Sequence, residues 1–231
     1  MTRVIPLAAV AAAALAFAVA AAAIPPLEEF APRVDNPWFP LVPGSTWIYR
    51  GVEDGQPARQ VVKVTRRTKT ILGVRCVVVD DRLYLGGRLA ERTTDWFAQD
   101  RRGNVWYLGE ATTELDGSGQ VTSTSGSWEA GVDGARAGLF MPAKPRVGFS
   151  RRQEFLRGEA EDHFRVLNLR GRADTPYVSS RDALVTEEWT PLEPGLLERK
   201  AYVRGIGLVA AGAADDDGDR IALVAYKPGK S

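Results

Sequence analysis

One histidine and one cysteine are all that this chain of 231 residues offers to the commonest nucleophilic and zinc chemistries. A Ser-His-Asp or Cys-His device needs its histidine beside a nucleophile. His163 instead alternates with apolar residues in His163-Phe164-Arg165-Val166, after the acidic pair Glu161-Asp162. Zinc draws mainly on Cys and His, so one of each leaves a centre short of ligands. Cys76 lies in the apolar run Val74-Arg75-Cys76-Val77-Val78-Val79 and reads as a small buried hydrophobe. Asp215-Asp216-Asp217-Gly218-Asp219 has the look of a calcium loop. An EF-hand aligned on Gly218 would place an acid at 213 and a Glu at 224, where Ala213 and Val224 stand. The run reads as a solvated turn, and no metal or cofactor is expected. No nucleophile-elbow, metalloprotease, phosphate-loop or dinucleotide motif occurs.

Carboxylates are the remaining catalytic option. Glu154, Glu159, Glu161 and Asp162 cluster in sequence, and Glu129 follows Trp128. A glycosidase needs two carboxyls roughly 5–10 Å apart, and six tryptophans could line a groove for a glycan. Spacing alone does not say which acids converge, so a carboxylate-based glycan hydrolase stays as the lesser alternative.

The residues with most to say about binding are aromatic. Asp95-Trp96-Phe97-Ala98-Gln99 and Asn104-Val105-Trp106-Tyr107-Leu108 flank Asp100-Arg101-Arg102-Gly103, which reads as a hairpin with Gly103 supplying the positive φ of the turn. If those four residues are the loop, Phe97 faces Trp106 and Trp96 faces Tyr107. A shift of one residue would redistribute them, yet rings would still sit on both faces. A hairpin apolar on both sides is either covered twice or lines a cleft. The expected contacts are Trp96, Trp106 and Trp128 as apolar walls, with Glu129, Glu159 and Asp162 as polar orienting groups.

The elements that must position these residues are strands. Short apolar-alternating segments recur between Gly-, Pro- and Asp-rich turns, and no convincing helical period appears beyond the N-terminus. The pattern predicts an all-β domain over residues 45–231: a single strongly curved antiparallel sheet or partly closed barrel of about 12–14 strands. Ser127 to Gly148, rich in Gly and Pro, reads as a long connection or Ω-loop. Phe149 to Leu156 reads as one strand. Before the domain, residues 24–44 contain Asn36-Pro37-Trp38-Phe39-Pro40, a Pro-rich extended lead-in that packs as a plug over the sheet.

Residues 1–23 read as a signal peptide: Arg3, an apolar run from Val4 to Ala20, and Ala21-Ala22-Ala23 as a small-residue cleavage site. No cysteine lies near that junction to take a lipid, and no transmembrane segment is expected after cleavage. The whole chain carries 30 basic and 29 acidic residues, and Arg3 is the only charge in the leader, so the mature chain is balanced. Balance without a basic block is poor equipment for nucleic acid.

Several longer stretches carry a resemblance. They are the aromatic ribbon itself, Gly126-Ser127-Trp128-Glu129-Ala130-Gly131-Val132-Asp133-Gly134-Ala135, Met141-Pro142-Ala143, Gln153-Glu154-Phe155, Gly158-Glu159-Ala160-Glu161-Asp162, Asn36-Pro37-Trp38-Phe39-Pro40-Leu41, and Glu188-Trp189-Thr190-Pro191-Leu192-Glu193-Pro194-Gly195. Through them the chain resembles a family of uncharacterised exported bacterial proteins over nearly its whole mature length. The family implies export but no activity, and it gives His163 no role. A looser likeness in fold type is to the curved sheets of lipoprotein-carrier-like envelope proteins, which licenses no function. Together these readings point to a secreted or cell-envelope protein that binds a hydrophobic small molecule or lipid in a concave sheet face. The rival is a structural or interaction protein of the envelope with no small ligand.

Overall fold

The computed structural model describes residues 24–214 and 219–230. The expected signal peptide and most of the acidic turn at 215–219 lie outside them. The described residues form one fifteen-stranded antiparallel sheet. Its strands are β1 (Thr46–Glu53), β2 (Gln56–Ile71), β3 (Val74–Leu85), β4 (Arg88–Gln99), β5 (Val105–Leu115), β6 (Val121–Ser123), β7 (Trp128–Glu129), β8 (Arg136–Met141), β9 (Ser150–Arg152), β10 (Glu154–Phe155), β11 (His163–Asp174), β12 (Ser179–Trp189), β13 (Glu198–Val203), β14 (Gly207–Ala213) and β15 (Arg220–Lys227). The curved sheet or partly closed barrel expected from the pattern is what forms.

Local chemistry explains the long hairpins. Asp54-Gly55 and Leu72-Gly73 both take left-handed φ at their two central residues. That is the two-residue turn whose twist matches antiparallel strands. Alternation does the rest: β1 buries Trp47 and Tyr49 while Arg50 is exposed, and β3 buries Val74 and Cys76 between exposed or half-buried neighbours before Val78 and Val79 are buried together.

The sheet runs β10-β8-β5-β4-β3-β2-β1-β15-β14-β13-β12-β11-β9, with β6 and β7 also on β5. Its two terminal strands are consecutive in the chain. β9 pairs with β11 and β10 with β8, and only Gln153, itself buried, separates them. Residues 150–155 thus step from one edge of the sheet to the other and draw the edges together. The single strand expected over Phe149–Leu156 is therefore corrected to two, because a straight strand cannot serve both edges. The long connection expected at Ser127–Gly148 is likewise corrected. It carries β7, on β5 at Gly109 and Glu110, and β8, on β5 at Val105–Tyr107.

The lead-in covers one end of the barrel. Gln99 Oε1 accepts from the backbone N of Asp35 (2.9 Å) and of Asn36 (2.7 Å), and Asn36 Nδ2 donates to the carbonyl of Gly103 at 2.8 Å. On the far side the Gly205 N donates to the Pro37 carbonyl at 2.7 Å. Trp38 and Leu41 are buried.

The aromatic hairpin forms one residue out of the expected register. Phe97 pairs with Tyr107, Ala98 with Trp106 and Gln99 with Val105, with a bulge between Trp96 and Phe97 opposite Leu108. The loop closes at Asn104, whose carbonyl accepts from Asp100 N, while the Asp100 carboxylate accepts from Asn104 N at 2.9 Å. Asp100 thereby caps its own turn. The bulge needs Gly109: its φ is +147°, and a Cβ there would lie 2.4 Å from the Trp128 carbonyl oxygen. Gly109→Ala should therefore lower the melting temperature by about 5 °C or more. A circular-dichroism melt checks this, and an unchanged melt would contradict the register.

Candidate ligand-binding cavity

The corrected register sorts the hairpin's rings. Phe97 and Tyr107 turn inward and stack at 4.6 Å with 13° between planes. Phe140 of β8 meets both edge-on, at 4.9 and 5.7 Å, and Phe39 of the lead-in joins them, 4.6 Å from Phe140. These rings floor a cavity of about 840 Å³ inside the barrel. Trp47, Tyr49 and Val62 line its wall. Trp47 Nε1 and Tyr49 Oη are tied to the carbonyls of Ile206 and Leu208, so both present only ring faces inward. Away from the covered end, the lining includes Val52, Leu196 and Leu197, all solvent-exposed, with Asp219 and Arg220. This is the mouth.

The inner face changes character along the barrel axis. On β4, Phe97 is followed toward the mouth by Asp95, Thr93 and Glu91. The register sets Val79 opposite Asp95, and Asp81 opposite Thr93. Asp81 accepts from Gln60 Nε2 at 2.6 Å through Oδ2, while its Oδ1 is buried without a partner. Asp95 accepts from the Tyr107 hydroxyl at 2.6 Å. Burial raises both carboxyls to about 7, against the pull of these hydrogen bonds. Glu53 at the rim is raised to about 7, again mainly by desolvation. Among the described residues the lining contains one half-buried cation, Lys200, and it is committed to Glu188 (2.8 Å) and Glu198 (3.0 Å).

Beside Asp95 lies a second group of acids. Glu110 faces Asp95 across the β4–β5 pair and is raised to about 8 by burial and by Asp95. Glu154 on β10 is raised to about 9 by burial, then by Glu110 and Asp162.

The six residues expected from the sequence lie outside the lining. Trp96 is on the outer face, with the Lys69 ammonium 3.5 Å from its ring and Glu129 paired to that same lysine at 2.6 Å, so these two are brought together. Trp106 donates to the Asp100 carboxylate at 3.0 Å beside the hairpin turn. Trp128 is buried edge-on to Tyr107, and its Nε1 donates to Glu154 at 2.8 Å. Glu159 is exposed on the turn after β10, and Asp162 is half-buried, its carboxyl raised by burial against the pull of Lys200 and Thr190. His163 stacks on Trp189 at 5.5 Å, and its Nε2 accepts from Arg152 Nε at 3.2 Å. Burial, then Arg152, lowers its pKa. Cys76 is fully buried, its thiol pushed up to about 12 by desolvation. Sequence reasoning missed Asp81 and Asp95, though one signal was present: both share a strand face with apolar Val79 and Phe97.

No helix among the described residues is long and apolar enough to cross a membrane. No family model matches the chain, and no curated protein matches it. Among solved structures it is similar to a protein described as exported, with a YMCC-like fold, from Bacteroides fragilis NCTC 9343. Identity is 13% over 83% of this chain and 99% of that one, with a TM-score of 0.47. It is also similar to a protein described as a lipoprotein from Parabacteroides distasonis ATCC 8503, 11% identical over 82% of this chain and 98% of that one, TM-score 0.42.

The acids give stability a definite pH slope. Each is raised above its unfolded value, so the folded state holds its proton more tightly. Stability is then highest below the unfolded carboxylate range and falls as pH rises through the folded values of about 7 to 9. The melting temperature should drop between about pH 5 and pH 9, and drop less in Glu154→Gln, which keeps an acceptor for Trp128 but has no charge to bury. Melts at several pH values check this. A flat wild-type profile, or an identical slope in the variant, would contradict it.

Proposed function

We propose that this chain is an exported, secreted or cell-envelope protein that binds an apolar or mixed apolar–polar molecule inside its barrel without transforming it. The observation that carries the reading is the cavity: about 840 Å³, aromatic at the covered end, exposed leucines at the other, with a few polar groups converging between. Small-molecule sites have this size, roughly 300–1,000 Å³, and this composition. Export rests on Arg3, the apolar run and Ala21-Ala22-Ala23.

Trp96, Trp106, Trp128 and Glu129 take supporting roles in this reading, fixing the walls through their own hydrogen bonds and the Lys69 contact. Hydrolysis of a glycan is less well supported. Glycosidase carboxyls are pushed apart in pKa so that one gives a proton while the other stays ionised. Asp81 and Asp95 are both raised by burial, so neither is held ionised as the second carboxylate would be.

The test uses N-phenyl-1-naphthylamine, a neutral apolar fluorophore that brightens out of water. Saturable binding is expected, and Val62→Trp, which fills the cavity from its wall, should weaken it by about 10-fold or more while the melt is retained. Linear, non-saturating brightening, or equal binding in a folded Val62→Trp, would contradict the reading.

A further inference from the structure

We infer that the cavity selects a molecule whose apolar body ends in a protonated amine, seated between Asp81 and Asp95; the inference rests on the ligand-binding reading of the cavity.

Three observations carry it. First, both carboxyls line the cavity, and neither has a cationic partner among the described residues. Asp81 has only Gln60 and Asp95 only Tyr107 as side-chain partners. The cations nearby are accounted for, since Lys200 is held by Glu188 and Glu198, and Arg220 is exposed at the mouth. Second, Asp81 Oδ1 is buried and accepts nothing. A buried acceptor without a donor is costly, and a carboxyl turns easily about χ2. A donor arriving through the cavity would relieve it. Third, the spacing suits one small cation. Asp81 and Asp95 occupy diagonal positions of the β3–β4 pair, which puts their Cβ atoms about 7 Å apart. An ammonium has three donors and can serve a carboxylate on either side. From that point an alkyl chain runs down to the rings of Phe97, Tyr107 and Phe140.

The same arrangement rejects a fatty acid. Its carboxylate would meet Glu53, Asp81 and Asp95, while of the two cations in the lining Lys200 is held by Glu188 and Glu198 and Arg220 stands out in solvent at the mouth. A neutral alcohol would fill the floor but leave the two carboxylates without a counter-charge.

The experiment is competition against N-phenyl-1-naphthylamine by decylamine, 1-decanol and decanoate, each below its micellar concentration. It is run at about pH 8, above the value of about 7 to which burial raises both carboxyls. Decylamine should compete at least about 10-fold better than decanol, and decanoate least well. Asp81→Asn should weaken decylamine by about 10-fold and leave decanol within about 2-fold. If that variant does not fold, the wild-type series decides alone, with Asp95→Asn as the second substitution. Decanol equal to or better than decylamine, or Asp81→Asn weakening both alike, would overturn the amine assignment while leaving the cavity reading intact. Failure of all three competitors would overturn both.

Discussion

Closure is the constraint on which the rest of the structure depends. β9 and β10 are neighbours in sequence and opposite edges in the sheet, joined through the buried Gln153. Holding those edges together leaves little unpaired backbone exposed, which a sheet of this length otherwise must guard. It also sets the interior volume. A barrel of about eight strands is just filled by its own side chains, and wider ones enclose space. Thirteen strands lie along the path here, so even a lining of tyrosine, phenylalanine and tryptophan does not meet across the middle. The cavity follows from strand number rather than from any one residue.

Gly138 shows how closely the closure is fitted. A Cβ on this β8 residue would fall 2.3 Å from the Gln153 carbonyl carbon. At the covered end the lead-in does a different job. Its backbone is tied to the β4–β5 turn through Gln99 and to the β13–β14 turn through Gly205, and this places Phe39 against the other rings. The inner surface is thereby divided. Apolar rings gather where the barrel is capped, and acids gather toward the water.

How much of this was legible depends on the period of the signal. Alternation and turn chemistry are local, and Asp54-Gly55, Leu72-Gly73 and the valines of β3 point directly to long hairpins. Register is not local. The one-residue displacement of the aromatic hairpin arises because Gly109 makes room for the Trp128 carbonyl, a contact across strands that spacing does not reveal. The edge switch at Gln153 is hidden for the same reason, since a strand that changes partners midway keeps its composition. The candidate site was legible only in outline. Aromatics on both faces of the hairpin did signal an inner and an outer use for rings, but indoles were favoured where Phe97, Tyr107 and Phe140 form the floor. Asp81 and Asp95 share a strand face with apolar Val79 and Phe97, but in sequence that mixed face does not say whether it meets water. Only the curling of the nearly closed sheet turns that face inward.

The cavity is open to a ligand from the mouth, and a crystal structure of the protein grown with decylamine would show whether one enters. Density for the alkyl chain is expected against Phe97, Tyr107 and Phe140, with the nitrogen beside Asp81. Rings collapsed onto one another across an empty-space-free interior, with the amine bound nowhere inside the barrel, would contradict it.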